Sequence, residues 1–118
     1  MDFLFVGLFG ALGCMARYGV AKLLVGAGAW PWATLAVNAL GAFLIGFIGG
    51  SNVVSGMWRV SAVVGFLGGF TTFSSYAWEV LVLGQSGRSW SAVGYAIASP
   101  LLCIPLAALG LWLVRLRA

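Results

Sequence analysis

Eight consecutive residues, Gly68-Gly69-Phe70-Thr71-Thr72-Phe73-Ser74-Ser75, interrupt an otherwise hydrophobic stretch near its middle. Glycine is a poor helix residue and hydroxyl side chains compete for backbone hydrogen bonds, so the octet predicts an opened helix whose carbonyls and amides lack their usual partners. Within a bilayer such groups persist only when buried in protein or facing a hydrated or ion-filled site. The octet is therefore a candidate ion site.

Other polar residues recur at helical spacing. Thr34 and Asn38 lie one turn apart on one face, with Gly41 following on that side. An Asn amide in a membrane helix either hydrogen-bonds to a neighbouring helix or faces a pathway, and for Asn38 alone both readings stand. Ser91, Tyr95, Ser99 and Cys103 form a semi-polar stripe beside Pro100 and Pro105. Pore lining is one reading of that stripe; the other is that Ser99 satisfies backbone freed by Pro100. Thr72, Ser75 and Glu79 share a face beyond the octet, and Phe73 and Tyr76 are i, i+3 neighbours. Stacked aromatics are commonly core, yet a ring presented edge-on favours an anion without adding a full charge. For Glu79, two to three turns from the following loop, snorkelling towards an interface is one reading and its role stays open; Arg17 has the same ambiguity, with structural anchoring favoured over direct ligation.

These residues sit in a chain that cannot be an ordinary soluble domain. Of its 118 residues 63% are hydrophobic and only 7% charged, against about 25% charged in soluble domains, and its mean hydropathy is +1.10. Four apolar stretches, at about residues 3–25, 32–52, 60–83 and 90–114, approach the roughly 20 residues that a spanning helix needs. The expected fold is an all-α integral membrane protein, a single channel domain of four transmembrane helices with the third broken at its middle. The connections are short, so neighbouring helices run antiparallel. Trp30, Trp32, Trp58, Trp90 and Trp112 fall at the proposed ends, where an indole prefers the interface, and Trp78 is the exception. The first stretch has no basic leader region or evident cleavage site and is read as a retained span.

Glycines at 46 and 50, and at 65 and 69, have the small-xxx-small spacing that brings helix backbones close; Gly7, Gly10 and Gly13 form a similar stripe. The net charge of +4 is scattered singly, without a basic patch for nucleic acid. Arg59, Arg115 and Arg117 on one side face Lys22 and Arg88 on the other, with Arg17 a third there if it reaches up from the first span. So level a count predicts insertion in both orientations. Cys14 and Cys103 lack ligand or disulfide spacing, and histidine is absent. With no His, Cys–His pair, carboxylate pair or phosphate-cradling motif, catalysis has none of its parts. A proton-coupled small multidrug exporter needs a buried acid in its first helix, and this one has none.

The octet in a third span, Asn38-Ala39-Leu40-Gly41 in the second and Ala16-Arg17-Tyr18 in the first together resemble the Fluc (CrcB) fluoride channels over essentially the whole chain. That resemblance implies a passive fluoride-exporting channel in the cell (inner) membrane. It further implies an antiparallel dual-topology homodimer with two pores and a central structural sodium ion. On the matching positions, Gly68 and Thr71 would supply sodium-binding carbonyls and Asn38 would line the fluoride path. Phe73 and Tyr76 would form the aromatic box, with Thr34, Ser74, Ser75, Tyr95 and Ser99 as polar contacts. Carbonyls at a broken helix suit a hard cation, and neutral donors with aromatic edges suit a small anion that must shed its water. The family's second aromatic position is expected to be Phe, and Tyr76 departs from it. A paralogue heterodimer, or a non-conducting subunit packed against a larger partner, remains the alternative assembly.

Overall fold

The computed structural model describes residues 1–117. Helix α1 covers Asp2–Leu23 and α2 covers Trp32–Gly50. A third span begins with α3 (Gly56–Val60), continues through π-helical turns at Ser61–Leu67 into the short α4 (Gly68–Phe70), and resumes as α5 (Phe73–Gln85). The last helix, α6, runs unbroken over Ser89–Arg117 through Pro100 and Pro105. Among the described residues, four helical stretches are thus long and apolar enough to cross a membrane. The third starts four residues before the hydropathy limit at Val60, because Ser55 and the Gly56 turn (φ 56°) lead directly into helix.

Between α4 and α5, Thr71 (φ −89°, ψ 159°) and Thr72 (φ −154°, ψ 117°) have extended backbone. The interruption is thus two residues, not the octet: Gly68 and Gly69 are helical, and Phe73, Ser74 and Ser75 already belong to α5. Gly69 serves contact instead of opening the helix. A Cβ on Gly69 would lie 2.4 Å from the Gly10 carbonyl oxygen, and one on Gly13 would lie 2.1 Å from that of Phe66. Glycine at these points lets α1 and the first half of the third span touch backbone to backbone.

The π-helical turns have no signature in the apolar pattern. At their start the Ser61 hydroxyl donates back to the Met57 carbonyl at 2.8 Å, a contact that competes with the helical ladder. At their end the Gly68 amide reaches the Val63 carbonyl five residues back as well as Gly65. The wider winding turns Ser61, Gly65 and Leu67 inward together.

Helix α2 packs along α6, α1 along the π-helical turns and α4, and α5 along α6. The α2–α6 contact again depends on small residues: a Cβ at Gly46 would lie 1.9 Å from the Ala107 carbonyl oxygen, and one at Gly110 2.2 Å from that of Phe43. At the α5–α6 turn, Gly87 (φ 79°) takes the left-handed conformation that suits glycine. There the Arg88 amide donates to the Leu83 carbonyl at 3.0 Å and the Gly87 amide to that of Gly84, the paired bonds of a Schellman cap.

Because the Gly46 backbone has no room for a methyl group, Gly46→Ala should cost about 1–3 kcal/mol of folded-state stability. Gly7→Ala, where nothing among the described residues lies within 4 Å of the added methyl group, should hold stability or raise it slightly, since alanine is the better helix residue. Unfolding in detergent mixtures compares the two directly, and equal stabilities would contradict the close α2–α6 approach.

Candidate functional site

The extended residues Thr71 and Thr72 leave the helical ladder, so each backbone group there needs another partner. The Thr71 amide and hydroxyl both donate to the Leu67 carbonyl, at 2.9 and 2.8 Å. Thr72 is served from α2. The Asn38 Nδ2 donates to the Thr72 carbonyl at 3.0 Å, and the Thr72 amide donates to Asn38 Oδ1 at 2.8 Å. The two bonds together fix which end of the amide is nitrogen. They also occupy only one of its two N–H groups, leaving the second for another acceptor. Among the described residues the Thr71 carbonyl receives no hydrogen bond, and the Thr72 amide, given to Asn38, does not reach back to Gly68 as a continuous helix would require.

Thr72 also starts α5. Its hydroxyl accepts the Ser75 amide at 3.2 Å, which is an N-cap. The same hydroxyl lies 3.1 Å from the Ser75 hydroxyl and 3.3 Å from that of Ser74. Three hydroxyls therefore cluster where the positive end of the α5 dipole emerges.

Two cavities meet at Thr72. The larger, about 480 Å³, includes Asn38, Gly68, Thr71, Phe73, Tyr76 and Ser99 in its lining, and no charged residue among the described residues. The smaller, about 290 Å³, includes Arg17, Thr34, Ser75 and Glu79. Most of the candidate residues are thus brought to one of two adjoining spaces. Ser74 is exposed beside the Thr72 hydroxyl, and Tyr95, fully buried, stands behind Tyr76 instead of lining either space.

The aromatic residues form a chain of contacts. Phe73 and Tyr76 have ring centroids 5.4 Å apart, tilted at 51°. Tyr76 meets Tyr95 edge to face at 5.2 Å, and Tyr95 meets Trp30 at 5.6 Å. Phe73 is 78% exposed, a large apolar ring at the rim of the larger cavity with no cover from its own chain. The Tyr76 hydroxyl donates to the Ala96 carbonyl on α6 at 2.6 Å. Ser99 makes no hydrogen bond to backbone among the described residues, so it does not serve the carbonyl freed by Pro100.

The charged residues of the site are turned towards neutral partners. Arg17 Nε donates to the Gly69 carbonyl at 3.0 Å, tying α1 to the residue two before the interruption. Glu79 does not snorkel. Its carboxylate accepts the Thr34 hydroxyl at 2.6 Å and the Tyr95 hydroxyl at 2.8 Å, joining α2, α5 and α6. Sequence reasoning left Glu79 out of the site because its partners lie 45 and 16 residues away. The available signal was its rarity, since a lone acid within an apolar span is a functional candidate by default.

A family model described as "CrcB-like protein, Camphor Resistance (CrcB)" matches residues 4–111. The chain is 48% identical over 114 residues to a "Fluoride-specific ion channel FluC" of Thermus thermophilus, covering 92% of this chain and 90% of that protein. It is 44% identical over 106 residues to a protein of the same name in Geobacter sulfurreducens, covering 84% and 85%. Against "Fluoride-specific ion channel FluC 2" of Listeria monocytogenes serotype 4b the identity is 45% over 105 residues, covering 84% and 79%. With a family model matched across nearly the whole sequence and relatives this similar along most of both chains, the chain belongs to the CrcB (Fluc) family.

Proposed function

We propose that this chain is a passive fluoride-selective channel of the cell membrane, with no enzymatic role, exporting fluoride that accumulates in the cytoplasm when the neutral acid HF crosses and dissociates. The observation that carries the reading is the Asn38–Thr72 pairing at the helix interruption, which among the described residues leaves one Asn38 N–H without a partner beside a cavity with no charged lining. A dehydrated small anion needs strong neutral donors, and a fixed cation would hold it too tightly to conduct. Amide, hydroxyl and aromatic edge from Asn38, Ser99, Phe73 and Tyr76 meet that requirement together. Thr34 and Ser75 continue the polar lining on the Glu79 side, with Ser74 beside the Thr72 hydroxyl and Tyr95 behind, holding Glu79.

The working assembly in this reading is an antiparallel homodimer in the lipid bilayer, with one pore on each side of a two-fold axis. Two features of the single chain support it: the uncovered Phe73 ring at the cavity rim and the near-equal split of Lys and Arg between the two sides. A symmetric dimer brings one surface against its own copy. The third span of each chain would then meet the other at the interruption, as expected for pairs of opposite orientation.

A structural sodium ion fits the same place. The Thr71 carbonyl receives no hydrogen bond among the described residues, and neutral carbonyl oxygens are ligands that a hard monovalent cation accepts. Gly68 and Thr71 of each subunit would hold it. When bound, it would neutralise carbonyl dipoles that otherwise face one another across the interface.

In liposomes loaded with fluoride, the purified wild-type chain alone should give rapid efflux, and its absence would overturn the channel reading. Asn38→Asp replaces the donating amide with an acceptor while keeping an oxygen for the Thr72 amide. It should abolish efflux while the protein still elutes as a dimer, whereas undiminished efflux would remove Asn38 from the path.

Exchange of sodium for a large organic cation should lower the thermal midpoint of the dimer, with recovery on adding sodium back. A midpoint indifferent to sodium would count against the cation site.

Orientation is tested with Ala118→Cys, at a position outside the described residues, in a background lacking Cys14 and Cys103. An impermeant thiol reagent on intact cells should label about half the chains, the split expected when the positive-charge bias is near zero. Labelling from one side alone would favour a heterodimer with an oppositely inserted paralogue.

A further inference from the structure

Proline in a helix interior cannot donate an amide, so the carbonyl four residues before it loses its helical partner. In α6 that pair is Pro100 and Ala96. The carbonyl lies within a membrane span, where an unmet backbone acceptor is costly. It is met from another helix: the Tyr76 hydroxyl on α5 donates to the Ala96 carbonyl at 2.6 Å.

We infer that Tyr76 is a positioning residue of the anion pathway, its hydroxyl standing in for the amide that Pro100 lacks and thereby fixing the ring angle and leaving Ser99 free to face the cavity. The inference rests on the fluoride-channel reading but adds a coupling between two residues, Tyr76 and Pro100, that the reading does not require. Three observations meet in it. Tyr76, Ser99 and Pro100 border the same cavity of about 480 Å³. The Tyr76 ring is held at one end by the α5 backbone and at the other by α6, between Phe73 at 5.4 Å and Tyr95 at 5.2 Å. Ser99, adjacent to the proline and 6% exposed, makes no hydrogen bond to backbone among the described residues.

A serine hydroxyl next to an unmet helical carbonyl readily turns back onto it. With Phe at position 76, Ser99 becomes the nearest group able to serve the Ala96 carbonyl. Its hydroxyl then leaves the cavity, and the aromatic ring loses its tether. The hydroxyl at position 76 and the proline at position 100 therefore act as a pair.

The test is a double-mutant cycle on fluoride efflux from liposomes, with wild-type efflux as the check on the channel reading itself. Tyr76→Phe should lower efflux about threefold, the size of a typical interhelical hydrogen bond in a membrane protein. In a Pro100→Ala background, where the new amide serves Ala96, Tyr76→Phe should have no further effect. Tyr76→Ile, which loses the ring as well, should conduct poorly in both backgrounds. An equal loss from Tyr76→Phe with and without Pro100 would overturn the coupling while leaving the channel reading intact. An independent readout is the tyrosine Fermi doublet in ultraviolet resonance Raman spectra, taken as wild type minus Tyr76→Phe. It should show a strong hydrogen-bond donor that weakens in Pro100→Ala, and a doublet unchanged by that substitution would likewise overturn the pairing.

Discussion

The site depends on a peptide segment that leaves its helix within a span apolar enough to cross a membrane, where protein groups must replace the lost hydrogen bonds. At Thr71 and Thr72 the backbone is extended, and in hydrocarbon each unmet amide or carbonyl costs several kcal/mol. Asn38 resolves most of that cost with one side chain, since a carboxamide presents a donor and an acceptor in the arrangement of a peptide edge. No other residue type of that size does both. Aspartate lacks the donor, and leucine lacks both groups.

The helices are arranged to bring that carboxamide to the interruption. Gly46 and Gly110 let α2 and α6 run against each other at backbone distance, while Gly13 and Gly69 do the same for α1 and α4. Gly41, one turn beyond Asn38 on α2, meets the Thr71 methyl group. A side chain there would push α2 away from the third span and separate Asn38 from Thr72. Small residues thus provide the geometry, and one polar residue uses it.

Charge is kept beside the neutral cavity without entering it. Arg17 is turned to the Gly69 carbonyl, and Glu79 to the hydroxyls of Thr34 and Tyr95. A carboxylate stabilised by two hydroxyl donors joins three helices at the far wall of the smaller cavity, one Thr72 away from the uncharged lining of the larger.

Four spans apolar enough for a membrane and a helix interruption within residues 68–75 were legible in the sequence, because hydropathy and helix-breaking composition are properties of consecutive residues. The motifs at Arg17, Asn38 and the octet were sufficient for the family as well. The close approach at Gly69 was legible from its small-residue spacing, but four features were not: the confinement of the break to Thr71 and Thr72, the identity of α1 as the helix that Gly69 meets, the π-helical turns, and the inward hold on Glu79. Each depends on which atom of another helix stands opposite. Asn38 and Thr72 are 34 residues apart, Thr34 and Glu79 are 45 apart, and Tyr76 and Ala96 are 20 apart. Local composition determined that a backbone would be stressed at this depth. Only the tertiary structure decided which side chains relieve it, because a hydrogen bond is satisfied by position in space and not by distance along the chain.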